Sequence, residues 1–289
     1  MTLPGDKGSS EIKSLLTLLD DENDMIYETA RTRLLELGRI ALPQLNPEHF
    51  TPGTLLHERV SEVFRTAVDS QFREQLRCFI AARPSIDDLE EAVILIAKQR
   101  YPFLDAKLIH ERLAEMSRAL RSRIDTQASP AECVQTVSLY FSDELGFTGN
   151  KSNYYDEQNH YINRVLETHR GSPILLSMVY MIVGRKINLP IEGMGLPGRF
   201  IVRFSYPQKP FYLDPFDRGK MLSRVECEQL IENSGHAVSE DYFKPMTLPR
   251  VMERIFRNLI NAAEQKGEAE RAELLASYID IVNAKVYIQ

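Results

Sequence analysis

Apolar residues fill every side of a helical projection from Ile174 to Val183, broken only by Ser177, so this stretch predicts a helix buried all round rather than an amphipathic surface helix. Its start is marked by Ser172, a side chain suited to an N-cap, and by Pro173, whose missing N–H has no intrahelical partner at the first position. Its end is marked by Arg185 and Lys186 in the last turn, then by Asn188, suited to a left-handed exit, and Pro190. The period then changes. Ile191 to Gly195 reads as a strand, Leu196-Pro-Gly198 as a turn, and Arg199 to Phe204 alternates as a half-buried strand with Arg199, Ile201 and Arg203 on one face. Phe211 to Asp214 returns antiparallel, which brings Asp214 within reach of Arg199.

Helical periods dominate the rest of the chain. Residues 1 to 9 read as a loose tail. Ile12, Leu15, Leu16 and Leu19, then Ile26, Ala30, Leu34 and Leu37, form two apolar stripes around the solvated turn at 20 to 24, resembling one HEAT-type hairpin. Leu55 to Val68 adds a helix. Ser85 to Asp88 caps a helix over 89–98, and Asp105 opens another to about Ile124. Ser129-Pro-Ala-Glu132 is a capping box leading a helix through Leu145 to Gly146, and Ser223-Arg-Val-Glu226 opens one to Asn233. Between them, 147–153 reads as loop and 159–168 as a short helix; 249–265 and 268–283 read as a closing hairpin around Lys266-Gly267.

The central stretch also carries a resemblance. A helix opening after Gly171, a Pro-preceded strand, a strand opening on a marked polar residue and a strand ending in Asp-Pro resemble the core of the transglutaminase-like superfamily. Asn153-Tyr-Tyr-Asp-Glu-Gln-Asn159, Tyr161-Ile-Asn-Arg-Val-Leu-Glu167, Arg170-Gly-Ser-Pro-Ile-Leu-Leu-Ser177, Pro197-Gly-Arg-Phe-Ile-Val-Arg203 and Asp214-Pro-Phe216 are similar, in order, to the motifs of its cysteine-lacking bacterial branch, the SirB family. The resemblance spans residues 85 to 285. It implies an α+β fold, mostly helical, with a transglutaminase-like (papain-like) core of one central helix on a small antiparallel sheet. The domains expected are a helical HEAT-like layer at 1–70, the core with its leading helices at 71–245, and a tetratricopeptide-like hairpin at 246–289.

Catalytic members of that superfamily place Cys, His and Asp where this chain has Pro173, Arg199 and Asp214. Proline offers no nucleophile, and a guanidinium accepts no proton near neutrality. The SirB branch keeps a histidine at the position of Arg199, so this chain departs further still.

Substitutes for the missing nucleophile are few. Ser177, one turn along from Pro173, is the candidate replacement; the competing reading is a buried hydroxyl bonded to the carbonyl four residues earlier. Cys133 lies in the first turn of its helix, where a thiol gains thiolate character, or it is plain apolar filler, as Cys78 and Cys227 are read. Asp214 either pairs with Arg199 or caps the turn before Pro215. Asn153, Tyr155, Asn159 and Arg170 converge on the central helix start, to satisfy loop backbone or to hold an anionic ligand there. His160 and His169 read as partly exposed helix residues beside that region or as cleft lining.

Composition narrows the classes. The chain has 289 residues, 43% of them hydrophobic, enough for a sizeable core. Its net charge of −6 opposes a general nucleic-acid binder. The longest apolar run is half of the ~20 residues a bilayer needs, and the start lacks the features of a secretory signal, so no membrane span and a cytoplasmic location are expected. Three cysteines and six histidines show no metal-ligand spacing, and neither metal nor cofactor is implied. The expectation is a non-catalytic transglutaminase-like protein that binds a peptide or protein partner through a degenerate site. A hydrolase of protease or amidase type using Ser177 or Cys133 stands as the alternative, and a structural scaffold as a third reading. Oligomeric state is left open.

Overall fold

The computed structural model of the chain describes residues 4–284. The chain divides into two compact units, 1–78 and 79–289. In the first, α1 (Pro4–Leu19) and α2 (Asp24–Leu37) pack antiparallel, followed by short 3-10 turns and the long α3 (Leu55–Ala81). Asn23 caps α2 by accepting from Met25 N–H at 2.9 Å. Ile12, Leu19, Ala30, Leu34, Leu45, Val60 and Val63 form this unit's core. Two expectations are corrected here. The predicted tail is helical from Pro4 onward, residues 1–3 lying outside the described residues. The helix predicted to stop at Val68 continues to Ala81, because Phe72, Leu76 and Ile80 carry its buried stripe onward at helical spacing.

The second unit is built around the central helix. Its elements are α4 (Leu89–Arg100), α5 (Ala106–Arg121), α6 (Pro130–Leu139), β1 (Thr148–Gly149), α7 (Ile162–Thr168), β2 (Arg170–Gly171) and α8 (Pro173–Lys186). After these come β3 (Ile191–Met194), β4 (Ile201–Ser205), β5 (Pro210–Asp214), β6 (Lys220–Leu222), α9 (Arg224–Asn233), α10 (Leu248–Gln265) and α11 (Ala269–Asn283). All residues of α8 from Pro173 to Gly184 are buried, because α4, α5 and α7 pack on it and β3 and β4 cover the remaining side. Ser172 caps it through Leu175 N–H, and Asn188 leaves it with φ 62°. The capping boxes at Ser85 with Asp88, Ser129 with Glu132, and Ser223 with Glu226 all form. The first opens a 3-10 turn (Ile86–Asp88) that leads directly into α4.

The main sheet is antiparallel in the order β3-β4-β5-β6, with Val202 opposite Leu213 and Gly193 opposite Val202. The strand pattern predicts one exposed face at Ile201. Instead Ile201 is fully buried against Met194, Leu196, Tyr212, Cys227, Ile231 and Phe243, because α9 and the segment after it cover that face. Further differences are local. The predicted loop at 147–153 contains β1, which pairs in parallel with β2 (Thr148 opposite Arg170). The helix expected through Leu145 turns to π geometry at Tyr140–Glu144 before Gly146, and the one expected over 159–168 breaks at Tyr161 into a 3-10 turn and α7.

Candidate functional site

Pro173 opens α8 inside the core, with no atom able to act as a nucleophile or to donate a proton. Arg199 lies two residues before β4 opens at Ile201, which pairs with Met194, and Asp214 closes β5. Arg199 Nε stands 3.4 Å from Asp214 Oδ2, an ion pair longer than a good hydrogen bond. The other carboxylate oxygen, Oδ1, accepts from the N–H groups of Phe216 (3.0 Å) and Asp217 (3.3 Å). Both readings of Asp214 are thus realised, one by each oxygen. Only 3% of Asp214 is exposed. That burial pushes its carboxyl above the ordinary aspartate range, against the pull of Arg199 and of the two backbone N–H donors. The Arg199 guanidinium also stacks over the Phe216 ring, 4.9 Å from its centroid. Arg199 is thus a permanent cation, stacked on one side and paired on the other.

Ser177 is fully buried and its hydroxyl is committed: Oγ lies 2.8 Å from Pro173 O, four residues back, and 3.2 Å from Phe200 O. Two carbonyl acceptors and no base surround it, which is the geometry of a satisfied core hydroxyl. Cys133 and Cys227 are buried and Cys78 is exposed. Burial pushes the Cys227 thiol up to about 12, so it stays protonated near neutrality.

The polar residues ahead of α8 form a connected framework. Asn159 is 3% exposed and uses its whole amide: Nδ2 donates to Asn153 O (2.7 Å) and Tyr154 O (3.1 Å), while Oδ1 accepts from Asn150 Nδ2 (2.9 Å). Its backbone carbonyl accepts from Ser172 N–H at 3.0 Å, which ties the loop to the helix cap. Asn153 N–H donates to Asn150 Oδ1, and its side chain donates to Asp156 Oδ2 at 3.0 Å. Tyr155 is exposed and meets Tyr154 edge to face, and Arg170 is exposed on β2. His160 departs from the expected partial exposure, and His169 keeps it. His160 is buried beside Asn159 with Nδ1 unpartnered, and burial pushes it down to about 4. His169 occupies the left-handed exit of α7, stacked on Phe147.

Two contributors lie outside the motif residues. Phe216 packs flat on Gly149, where a β-carbon would stand 2.5 Å from its ring. Arg254 of α10 donates through one terminal nitrogen to Leu196 O (2.6 Å) and Arg199 O (2.8 Å), fixing the turn that carries Arg199. The available signal was the spacing of Arg250, Arg254 and Arg257, one polar stripe on a helix whose other side is apolar. Among the described residues, no group of three or more His, Cys, Asp or Glu side chains is placed to hold a metal ion. Nor is any helix among them long and apolar enough to cross a membrane.

The profile of the transglutaminase-like superfamily matches residues 107–257. A UPF0162 protein of Xylella fastidiosa (strain 9a5c) is 30% identical over 205 residues, covering 68% of this chain and 73% of that protein. A UPF0162 protein of Pseudomonas aeruginosa is 28% identical over 183 residues, covering 62% of this chain and 66% of its own length. F-box only protein 21 of Mus musculus is 28% identical over 159 residues, which is 52% of this chain and 25% of that protein. No solved structure matches the chain. With the profile matching residues 107–257 and a UPF0162 protein 30% identical over 68% of this chain, the chain belongs to the transglutaminase-like superfamily, alongside the UPF0162 proteins.

Proposed function

We propose that this chain is a non-catalytic transglutaminase-like protein, of the cysteine-lacking SirB branch, that works by binding a peptide or protein segment. The observation that carries the reading is the state of the three positions where the superfamily does chemistry. Pro173 supplies no nucleophile, and Arg199 is a cation locked between buried Asp214 and the Phe216 ring. Acyl transfer needs a nucleophile and a base within reach of one reacting atom, and this arrangement supplies neither. The hydrolase alternative is weakened at the same place, since the Ser177 hydroxyl is sealed against two carbonyls and Cys133 is buried. The match to part of F-box only protein 21 supports a core that serves inside larger chains, by analogy. The reading takes 1–70 as a HEAT-like layer and 246–289 as a tetratricopeptide-like closing hairpin.

The test uses the purified chain. Fluorophosphonate and iodoacetamide probes are expected to leave Ser177 and Cys133 unlabelled, and glutamine-amide and peptide substrates to remain unconverted. Stoichiometric labelling of either residue, or turnover abolished by changing it, overturns the non-catalytic reading.

A further inference from the structure

The strongest unassigned feature is a cleft of ≈ 480 Å³ between α10 and the turn that follows β3. That volume lies in the range of pockets that hold small ligands or short peptide segments. Its wall on α10 carries Arg250, Arg254 and Arg257, with Glu253, Asn258 and Asn261 on the same stripe. Three guanidinium groups stand against one carboxylate, in a chain whose net charge is −6. The cleft is therefore a local positive site on an acidic protein.

The arginines are held rather than loose. Glu253 is buried, 7% exposed, and its Oε1 accepts from Arg257 Nε (3.0 Å) and NH2 (2.7 Å). Its Oε2 lies 3.6 Å from Arg250 NH1. A buried anion thus orients two largely exposed guanidinium groups beforehand, which lowers the ordering cost of capturing an anion. Arg254 is fixed through the carbonyls of Leu196 and Arg199. Gly195 makes room for this packing, since a β-carbon there would stand 2.2 Å from Met246 Sδ and 2.9 Å from Arg254 NH1. Met246, Tyr242 and Pro197 supply apolar lining.

We infer that this cleft binds a short acidic peptide segment, its carboxylate on the Arg250 and Arg257 guanidiniums, an apolar neighbour on Met246 and Tyr242, and its main chain on Asn258 and Asn261. A carboxylate matches the planar guanidinium fork, and side-chain amides match a peptide backbone. A nucleic acid needs a run of phosphate contacts along an extended basic face, and three arginines in one cleft on a chain of net charge −6 do not supply one, whereas a single acidic segment needs only this cleft. The inference rests on the binding reading above and names where that binding occurs: the turn that carries Arg199 also contributes Gly195, Pro197 and Gly198 to this cleft.

The test is fluorescence polarisation of the whole chain with a fluorescein-labelled Glu-Glu-Phe-Glu-Glu-Leu peptide, with the Lys-for-Glu peptide and a single-stranded oligonucleotide as comparators. The acidic peptide is expected to bind saturably and to weaken with salt. R250Q alone, which leaves both Arg257 hydrogen bonds to Glu253 in place, is expected to weaken binding while its melting temperature stays within a few degrees, and the double variant R250Q/R257Q, which removes both partners of the buried Glu253 carboxylate, is expected to lose ~10-fold or more in affinity. Acidic-peptide binding unchanged in that variant but lost in Tyr155→Ala and Arg170→Ala overturns the α10 site and leaves the binding reading standing. Preference for the oligonucleotide, or no saturable binding of the acidic peptide, also overturns it. Probe labelling at Ser177 or Cys133 would instead sink the non-catalytic reading.

Discussion

Gly149 lies against the ring of Phe216 so closely that a β-carbon at 149 would sit 2.5 Å from Cδ2 and 2.6 Å from Cε2. The contact holds the loop after α6 against the turn that follows Asp214, and the same ring carries the Arg199 guanidinium. Gly149 is therefore a packing requirement, its backbone being outside the left-handed region. Gly149→Ala is expected to destabilise the chain by ~1–3 kcal/mol through overpacking. Adding Phe216→Leu should recover part of that loss, because the clash is with the ring. Urea denaturation of the two single variants and the double variant checks this, and strictly additive losses would contradict it.

Asp214 makes a prediction about pH whose sign depends on which influence wins. Its folded-state carboxyl is raised above the ordinary value, with burial outweighing Arg199 and the backbone donors. A raised folded pKa means the native chain holds the proton longer than the unfolded chain. Its contribution to stability is then fully present below the ordinary aspartate value of about 3.9 and is lost as pH rises through the folded value. Asp214→Asn keeps an acceptor for Phe216 N–H and removes the titration. The stability of the native chain minus that of the variant should fall as pH is raised from just below 4. A difference that grows with pH would mean that the Arg199 ion pair dominates instead.

His160 works in the opposite direction. It is buried with Nδ1 unpartnered and pushed down to about 4, so the unfolded chain binds a proton that the native chain refuses. The stability it contributes is present above the ordinary histidine value of about 6.5 and is lost as pH falls toward 4. The loss amounts to up to about 3 kcal/mol across that window. His160→Gln should flatten the acid limb of a stability profile between pH 6.5 and 4, whatever it costs at neutral pH. An acid limb of unchanged slope would show that another group carries it.

How much of this was legible beforehand follows from the range of each signal. The three capping boxes and the Ser172-Pro173 start of α8 are legible in the sequence because a cap is decided within four residues. The meeting of Arg199 with Asp214 was legible because two short alternating segments around a turn leave little freedom of pairing. The β1-β2 pair was not legible: two residues on each side carry no periodicity, and the partners lie 22 positions apart. Nor was the second covered face of the sheet, since Cys227, Ile231 and Phe243 reach Ile201 only once α9 has folded back. The sequence marks Asn159 as polar beside the helix start, but its full hydrogen-bond use depends on backbone carbonyls that no motif displays.

Arg254 connects the cleft on α10 with the turn that carries Arg199, and it gives the sharpest energetic prediction. A single terminal nitrogen donates at 2.6 Å to Leu196 O and at 2.8 Å to Arg199 O, the two carbonyls that bracket the turn into β4. Its guanidinium also lies 5.5 Å from the centroid of the Phe200 ring. Arg254→Met keeps the length and apolar packing of the stem but strands the Arg199 carbonyl and leaves Leu196 O with the Arg199 N–H alone, at 3.2 Å. The expected cost is on the order of 3 kcal/mol, and Arg254→Lys should restore only part of it, since an ammonium lacks the planar fork. Hydrogen exchange should show the loss concentrated at residues 195–204, with α1 and α2 unaffected. If Arg254→Met unfolds the chain evenly, or costs less than about 0.5 kcal/mol, then the turn holds itself and Arg254 belongs to the cleft alone.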